Sequence, residues 1–182
     1  MARLQPLWTA AASTDAAEIT TFLRARGVTY ERWPLPDAVR TVAAQPRLDD
    51  ADKARLLAAF SAELAAKAAG QGYGSADVVA IRPDLPGVDD ALARFDRVHF
   101  HDDDEVRAIV AGHGVFGFTD DDGRQFLLTV EAGDYISVPA GIWHWFYCGS
   151  DKFITALRLF RDSAGWVPRY RSTDRGVPQA RA

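Results

Sequence analysis

The feature that most constrains the fold is a series of short β-type segments, separated by turn-forming residues, that fills the second half of the chain. The segments are residues 95–101, 106–111, 115–118, 124–130, 135–138, 142–147 and 153–160. The run Asp120-Asp121-Asp122-Gly123 is a strong hairpin signal. Short strands at regular spacing, with turn signals between them, favour a β-sandwich or a small barrel.

The first half of the chain is dominated by helix signals. Asp15 with Glu18 three residues later has the pattern of a capping box, and Gly27 is a suitable helix terminator. A longer apolar pattern at helical spacing predicts a second helix over 49–69. Residues 4–8, 28–33 and 78–81 are predicted strands, and 82–89 is predicted to be an extended linker.

These elements indicate one domain that is mainly β with flanking helices. We predict a domain over residues 1–170, with a helical N-terminal portion over about 1–75 and a barrel over about 76–167. After Trp166 the composition turns to Arg, Ser, Pro and Gly, so residues 171–182 are predicted to be a disordered tail.

Composition excludes several kinds of partner. The net charge is −4 and the basic residues are scattered, so we expect no nucleic-acid partner. No run approaches the roughly 20 apolar residues of a membrane span. Gln5 and Pro6 interrupt the N-terminal apolar stretch, which argues against a signal peptide. The single cysteine, Cys148, allows no internal disulfide, so we predict a cytoplasmic protein, and its unremarkable acidic surface is compatible with a monomer.

Three of the four histidines fall in a pattern that can hold a metal ion. His99 and His101 are two apart, so both side chains point to one face of a strand. Glu105 follows after a run of aspartates, and His144 lies in a later strand segment. Imidazole with carboxylate suits Fe, Mn or Ni, and an octahedral ion held by four protein ligands keeps two positions for a chelating substrate. A His-x-His pair taken alone more often represents ordinary polar residues on an exposed strand than a metal site.

The spacing of these residues resembles the two motifs of the cupin superfamily. The first motif, His-x-His, three or four residues, Glu, six residues, Gly, matches His99, His101, Glu105 and Gly112. The second motif matches Gly133, Pro139, Gly141 and His144. Two positions depart from the pattern, because Cys148 stands where asparagine is usual and Ala93 where glycine is frequent. Neither departure affects a metal ligand.

Within the cupins, residues 78–167 resemble the acireductone dioxygenase family. The matching segments are 99–107 (HFHDDDEVR), 114–118 (GVFGF), 133–141 (GDYISVPAG), 143–146 (WHWF), 156–160 (ALRLF) and 165–166 (GW). The resemblance implies a cupin double-stranded β-helix barrel of the jelly-roll type with flanking helices. It also implies one Fe(II) or Ni(II) ion per chain, bound by His99, His101, Glu105 and His144.

The family's activity is cleavage of an acireductone, 1,2-dihydroxy-3-keto-5-methylthiopentene, by O₂ in methionine salvage. The resemblance implies that the Fe(II) form gives formate and 4-methylthio-2-oxobutanoate. The Ni(II) form would give CO, formate and 3-methylthiopropanoate. The partners expected are therefore the small-molecule acireductone and O₂.

The resemblance also assigns roles around the metal. Arg107 and Arg158 would be catalytic, stabilising negative charge on oxygen, and Phe95, Phe146 and Trp166 would wall the substrate pocket. Each has a structural alternative: Arg107 could pair with Glu131 or an aspartate, Arg158 could form a structural salt bridge, and the aromatics could be plain core.

Other residues near the motif carry weaker expectations. We expect Asp102, Asp103 and Asp104 to form a solvated turn, in which one carboxylate could accept from a ligand histidine. His113, between two glycines, is predicted to be a loop residue rather than a ligand.

Two other functions stay open at this point. One is a different cupin dioxygenase, or an isomerase, acting on another ene-diol. The other is a metal-retaining cupin that binds a small ligand without turnover. Arg107, Arg158 and Trp166 together favour the acireductone, and the four intact ligands argue against a pure binder.

Overall fold

The computed structural model describes residues 2–161 and 167–171. Five α-helices and ten β-strands lie in these two ranges. The helices are α1 Ala16–Arg24, α2 Asp37–Ala43, α3 Asp50–Ala59, α4 Ser61–Gln71 and α5 Val88–Phe95. The strands are β1 Arg3–Pro6, β2 Thr29–Arg32, β3 Ser75–Ile81, β4 His99–Phe100, β5 Glu105–Thr119, β6 Gln125–Glu131, β7 Asp134–Val138, β8 His144–Cys148, β9 Ile154–Phe160 and β10 Arg169–Tyr170.

Strand β5 organises the sheets because it belongs to two of them. Its first half pairs antiparallel with β7 and β9, and its second half pairs with β6 and β8. The register shifts between Ile109 and Ala111, and Gly112 follows with φ +72°. A Cβ at Gly112 would lie 1.9 Å from the carbonyl oxygen of Phe153, so only glycine fits where the strand crosses over. The segments predicted as two strands are therefore one bent strand.

The two sheets face each other and enclose the core. One sheet has the order β1-β6-β5-β8-β4-β10, and the other runs β2-β7-β5-β9-β3. Buried side chains from both sheets form the interior, among them Ile109, Phe116, Phe126, Ile136 and Ala156. The expected architecture, mainly antiparallel β with flanking helices, is confirmed.

The N-terminal helices differ in part from the prediction. Helix α1 begins as expected, since the Asp15 carboxylate accepts from the backbone N–H of Glu18 at 2.8 Å. The predicted helix over 49–69 is instead two helices, α3 and α4, because the chain turns at Phe60. Phe60 is buried, and its ring lies 5.6 Å from that of Trp33, so core packing overrides helix continuity.

Helices α2 and α5 were missed. Helix α2 begins directly after Pro36, its N-cap residue, and proline is also a common signal for the end of a strand. Helix α5 occupies part of the predicted linker and ends at Phe95, so the predicted strand over 95–101 shrinks to His99–Phe100. The prolines and glycine that precede α5 are turn signals, and they predicted a linker where the short apolar repeat of α5 begins.

The residue after β3, Arg82, is buried inside the fold. Its side chain lies where the segment after α2 approaches the start of β9, and its guanidinium donates to several protein acceptors. These are the carbonyls of Ala43, Gln45, Ile81 and Ile154 and the hydroxyl of Thr155. Burial lowers the pKa of Arg82.

The last described segment returns to the sheet. Strand β10 pairs antiparallel with β4, and the backbone N–H of Arg171 donates to the carbonyl of Val98 at 3.1 Å. Of the tail predicted over 171–182, the structure describes only Arg171, and the remainder lies outside the described residues. Across the described ranges, no helix is both long and apolar enough to cross a bilayer.

Candidate metal centre

Four buried side chains meet at the point where β4, β5 and β8 come together. His99 is in β4 and pairs directly with His144, the first residue of β8. His101 follows β4, and Glu105 opens β5. One potential ligand atom from each residue lies within 4.8 Å of the others. The sequence-predicted ligand set is thus brought together in one buried cluster.

Backbone carbonyls orient two of the imidazoles. Nδ1 of His99 lies 2.6 Å from the carbonyl oxygen of Arg97, and Nδ1 of His144 lies 2.8 Å from that of Ile142. A carbonyl can only accept, so both Nδ1 atoms carry the proton and the Nε2 lone pairs point into the cluster. Nε2 of His99 is buried with no hydrogen-bond partner. A buried acceptor of this kind fits a metal ion.

The charges in the cluster also suit a cation. Glu105 Oε2 lies 3.0 Å from His101 Nε2 and 3.2 Å from His144 Nε2. Burial alone would raise the pKa of Glu105, but Arg107 and the two histidines hold it well below its usual value. Burial, with the nearby charge of His144, lowers the pKa of His99 to about 4. Both side chains are therefore in their ligating forms at neutral pH.

A cavity of about 440 Å³ opens beside this cluster. Phe95, Arg107 and Arg158 all line it, together with Ser75, Ala76, Asp77 and Phe160. Nη2 of Arg107 lies 3.2 Å from Oε1 of Glu105, so this arginine joins the cavity to the ligand cluster. Glu131, the alternative partner, is the register partner of His113 in the other half of β5. Three of the five predicted catalytic and pocket residues thus share one cavity.

Comparison with known proteins decides the family. The model of the ARD/ARD' family matches residues 14–168. The acireductone dioxygenase of Leptospira interrogans serogroup Icterohaemorrhagiae serovar copenhageni is 41% identical over 156 residues, which cover 86% of this chain and 88% of that protein. The chain belongs to the acireductone dioxygenase family.

Other members of the acireductone dioxygenase family match the chain to a similar extent. That of Bacillus cereus strain ATCC 14579 is 40% identical over 86% of this chain and 92% of its own length. A solved structure, acireductone dioxygenase from Bacillus anthracis with a cadmium ion in its active centre, superposes with a TM-score of 0.87 at 37% identity. The superposition covers 93% of this chain and 98% of the Bacillus anthracis chain. The expected cupin barrel of the family is thereby confirmed.

Of the two remaining predicted pocket aromatics, Phe146 is not among the described residues that line the cavity. Phe146 lies inside the barrel, with its ring 5.0 Å from that of Phe116 and directly over Gly114, where a Cβ would come within 2.4 Å of the ring. Trp166 lies outside the described residues. Their pocket roles in this acireductone dioxygenase family member stay predictions.

The aspartate run between the ligands is not the solvated turn that was expected. Asp103 is buried, and its carboxylate accepts from Arg161 Nη1 at 2.8 Å. Asp104 accepts from Arg161 Nη2 at 2.6 Å and from the Tyr73 hydroxyl at 2.9 Å. Only Asp102 faces solvent, where it pairs with Arg169. These contacts fix the turn that separates His101 from Glu105.

Sequence reasoning missed Tyr73, Asp77 and Arg161. Asp77 forms a two-point ion pair with Arg158 in the wall of the cavity. Each of the three lies in a different strand or turn from its partner, so no local spacing reveals the contact. His113, predicted to be a loop residue, lies within β5, and its Nδ1 is 3.7 Å from Asp151.

Proposed function

We propose that this protein is a metal-dependent dioxygenase that cleaves an acireductone with O₂. The observation that carries the proposal is the buried set of three imidazoles and one carboxylate beside a cavity with two arginines, in a member of the acireductone dioxygenase family. The substrate proposed is 1,2-dihydroxy-3-keto-5-methylthiopentene, and the pathway is methionine salvage.

His99, His101, Glu105 and His144 would hold one Fe(II) or Ni(II) ion. Three nitrogen donors and one hard oxygen donor, with no thiolate in the cluster, suit these ions. When bound, the metal would supply a Lewis acid that holds the ene-diolate of the substrate and O₂. We propose formate and 4-methylthio-2-oxobutanoate as products of the Fe(II) form, and CO, formate and 3-methylthiopropanoate as products of the Ni(II) form.

Arg107 is the residue best placed to act on substrate charge. Burial lowers its pKa to about 10, so it stays a cation at neutral pH. A fixed, largely buried cation stabilises negative charge that develops on oxygen. Arg158 offers a second cation across the same cavity, and the Phe95 ring would exclude water from it.

The test is aerobic turnover of the methylthio-acireductone by metal-stripped protein that is reloaded separately with Fe(II) and Ni(II). We expect rapid substrate loss with both metals, formate and the keto acid with iron, and CO with nickel. No turnover despite confirmed metal content would refute the proposal. A cupin that acts on another ene-diol, or one that only binds a small ligand, would then be the better description.

The Arg107→Ala variant tests the role of the cation separately from the metal. We expect bound metal to remain while kcat/KM falls about 100-fold, the scale of losing one oxyanion-type donor. Arg40→Ala, at an exposed arginine of α2, is the matched control and should retain full activity. Unchanged kinetics in Arg107→Ala would remove this arginine from the mechanism.

The remaining expectations are proposals of the same kind. They are a monomeric, cytoplasmic protein with one domain over residues 1–170. Size-exclusion chromatography with light scattering tests the oligomeric state.

A further inference from the structure

Four charged side chains form a row across three neighbouring strands at the cavity. Asp77 of β3 is the register partner of Arg158 of β9, and Arg158 is the register partner of Arg107 of β5. Glu105 lies two residues before Arg107 and therefore on the same face. The signs along the row are negative, positive, positive and negative, with both arginines in the middle.

The two arginines in the middle of this row are register partners with the same charge, and each also contacts a carboxylate of the row. Like charges directly opposite each other on neighbouring strands are destabilising. A negatively charged substrate between them would relieve that repulsion.

Each arginine contacts one carboxylate of the row. Arg107 meets Glu105 of its own strand through Nη2, which lies 3.2 Å from Oε1. Nε of Arg158 donates to Oδ1 of Asp77 at 2.7 Å, and Nη2 donates to Oδ2, so this contact is a two-point fork. A fork of this geometry fixes the plane of a guanidinium, which would otherwise sample many rotamers.

The Asp77–Arg158 pair contributes little to fold stability. The Asp77 side chain is 46% exposed and that of Arg158 29%, and ion pairs with such exposure are typically worth no more than about 1 kcal/mol. The fork is therefore better explained by the position that it gives Arg158 than by its contribution to fold stability.

We infer that Asp77 is a positioning residue for substrate binding. It holds the guanidinium of Arg158 against the cavity wall, across from Arg107, so that an anionic substrate meets two cations already in place. The inference rests on the proposed function and extends it to a residue without a role there. Arg107 touches the metal ligand Glu105, whereas Arg158 lies one strand further away, so Asp77 acts on KM more than on kcat.

The test is a double-mutant cycle in the metal-loaded protein with Asp77→Asn and Arg158→Met. Asparagine keeps the shape of Asp77 and removes its charge. We expect Asp77→Asn to raise KM about 10-fold, the scale of one charge-assisted hydrogen bond, with little change in kcat. In the Arg158→Met background the same substitution should have no further effect. Asp84→Asn, at an exposed aspartate, is the matched control.

Three results would overturn the inference. One is a KM within about twofold of wild type, which is less than a single hydrogen bond to a charged group is worth. Another is an equal effect of Asp77→Asn with and without Arg158. The third is a loss of Tm or metal content that accounts for the kinetic change.

Oxalate, a chelating dianion, separates this inference from the proposed function. Its Kd for the nickel-loaded protein is measured by calorimetry in the four proteins of the cycle, which are the wild type, the two single variants and the double variant. If wild type does not turn over the acireductone, the proposed function fails, but the cycle is still decided by oxalate binding. The positioning role is supported if Asp77→Asn weakens oxalate binding in the wild-type background and has no effect in the Arg158→Met background. Equal binding of oxalate by all four proteins rejects it.

Discussion

Replacing Arg82 with methionine should lower the free energy of unfolding by about 3 kcal/mol. The Arg82 residue is 3% exposed, and its guanidinium lies where α2 ends and β9 begins. Arg82 follows β3 directly, and its hydrogen bonds connect the end of β3 to α2 and β9. Methionine retains most of the apolar stem but donates no hydrogen bond.

The magnitude follows from the hydrogen bonds that each acceptor of Arg82 loses in the variant. The carbonyl of Gln45 accepts from Nε of Arg82 at 3.1 Å and from Nη2 at 2.7 Å. The carbonyl of Ala43 keeps one donor, since the Thr155 hydroxyl also reaches it at 2.8 Å. Hydrogen bonds to charged groups are each worth about 1.5–3 kcal/mol, and relief of the buried charge offsets part of their sum. A net loss of about 3 kcal/mol corresponds to a fall in Tm of roughly 6–12 °C for a domain of this size.

The assay is urea unfolding of the metal-free protein, so that metal binding does not contribute. Arg47→Met is the matched control, because the Arg47 side chain is 87% exposed and pairs only loosely with Asp84, at 3.5 Å. It should change stability by no more than about 0.5 kcal/mol. If Arg82→Met is as stable as Arg47→Met, or more stable than wild type, the reasoning from acceptor satisfaction is refuted.

Three further predictions concern the metal centre. His144→Ala should lose its metal on desalting, and wild-type metal content by elemental analysis would contradict the four-ligand site. Arg161→Met, which removes the side-chain contacts of Arg161 with Asp103 and Asp104, should weaken metal affinity about 10-fold by titration, since the turn between His101 and Glu105 is then held less firmly. In metal-free protein, unfolded histidine binds protons near pH 6.5 while folded His99 does so near pH 4, so stability should fall as pH drops through this window. His99→Gln should flatten that decline, and an unchanged slope would exclude His99 as its cause.

The site could be predicted from the sequence where its members are close in the chain or share a strand face. His99 and His101 follow the period of a strand, and Glu105 and Arg107 follow it again in β5. His144 lies in a later strand segment, and the spacing of the cupin motifs connects it to the other three. The turn signals likewise located most strands of the barrel to within a few residues.

The rest depended on contacts that local patterns do not encode. Arg161 reaches an aspartate 58 residues earlier in the chain, and Asp77 reaches Arg158 across 81 residues. The end of α3 is set by where Phe60 packs rather than by its propensity. Tertiary packing decides such features, so a pattern of periodicity and turn residues predicts an uninterrupted helix and a solvated turn in their place.

The links between the helical portion and the aspartate turn limit how this protein can be shortened. Arg161, which donates hydrogen bonds to Asp103 and Asp104 of the turn, also donates from Nε to the carbonyl of Gln71 at the end of α4. Tyr73 adds its own hydrogen bond to Asp104 from the same stretch, and β1 and β2 are strands of the two sheets. A minimal barrel cut at residue 75 would lose two sheet strands, the Tyr73 hydrogen bond to Asp104 and the Gln71 carbonyl that accepts from Arg161. Designers seeking a compact metal scaffold would have to trim elsewhere, at hairpin tips such as Asp120 to Gly123.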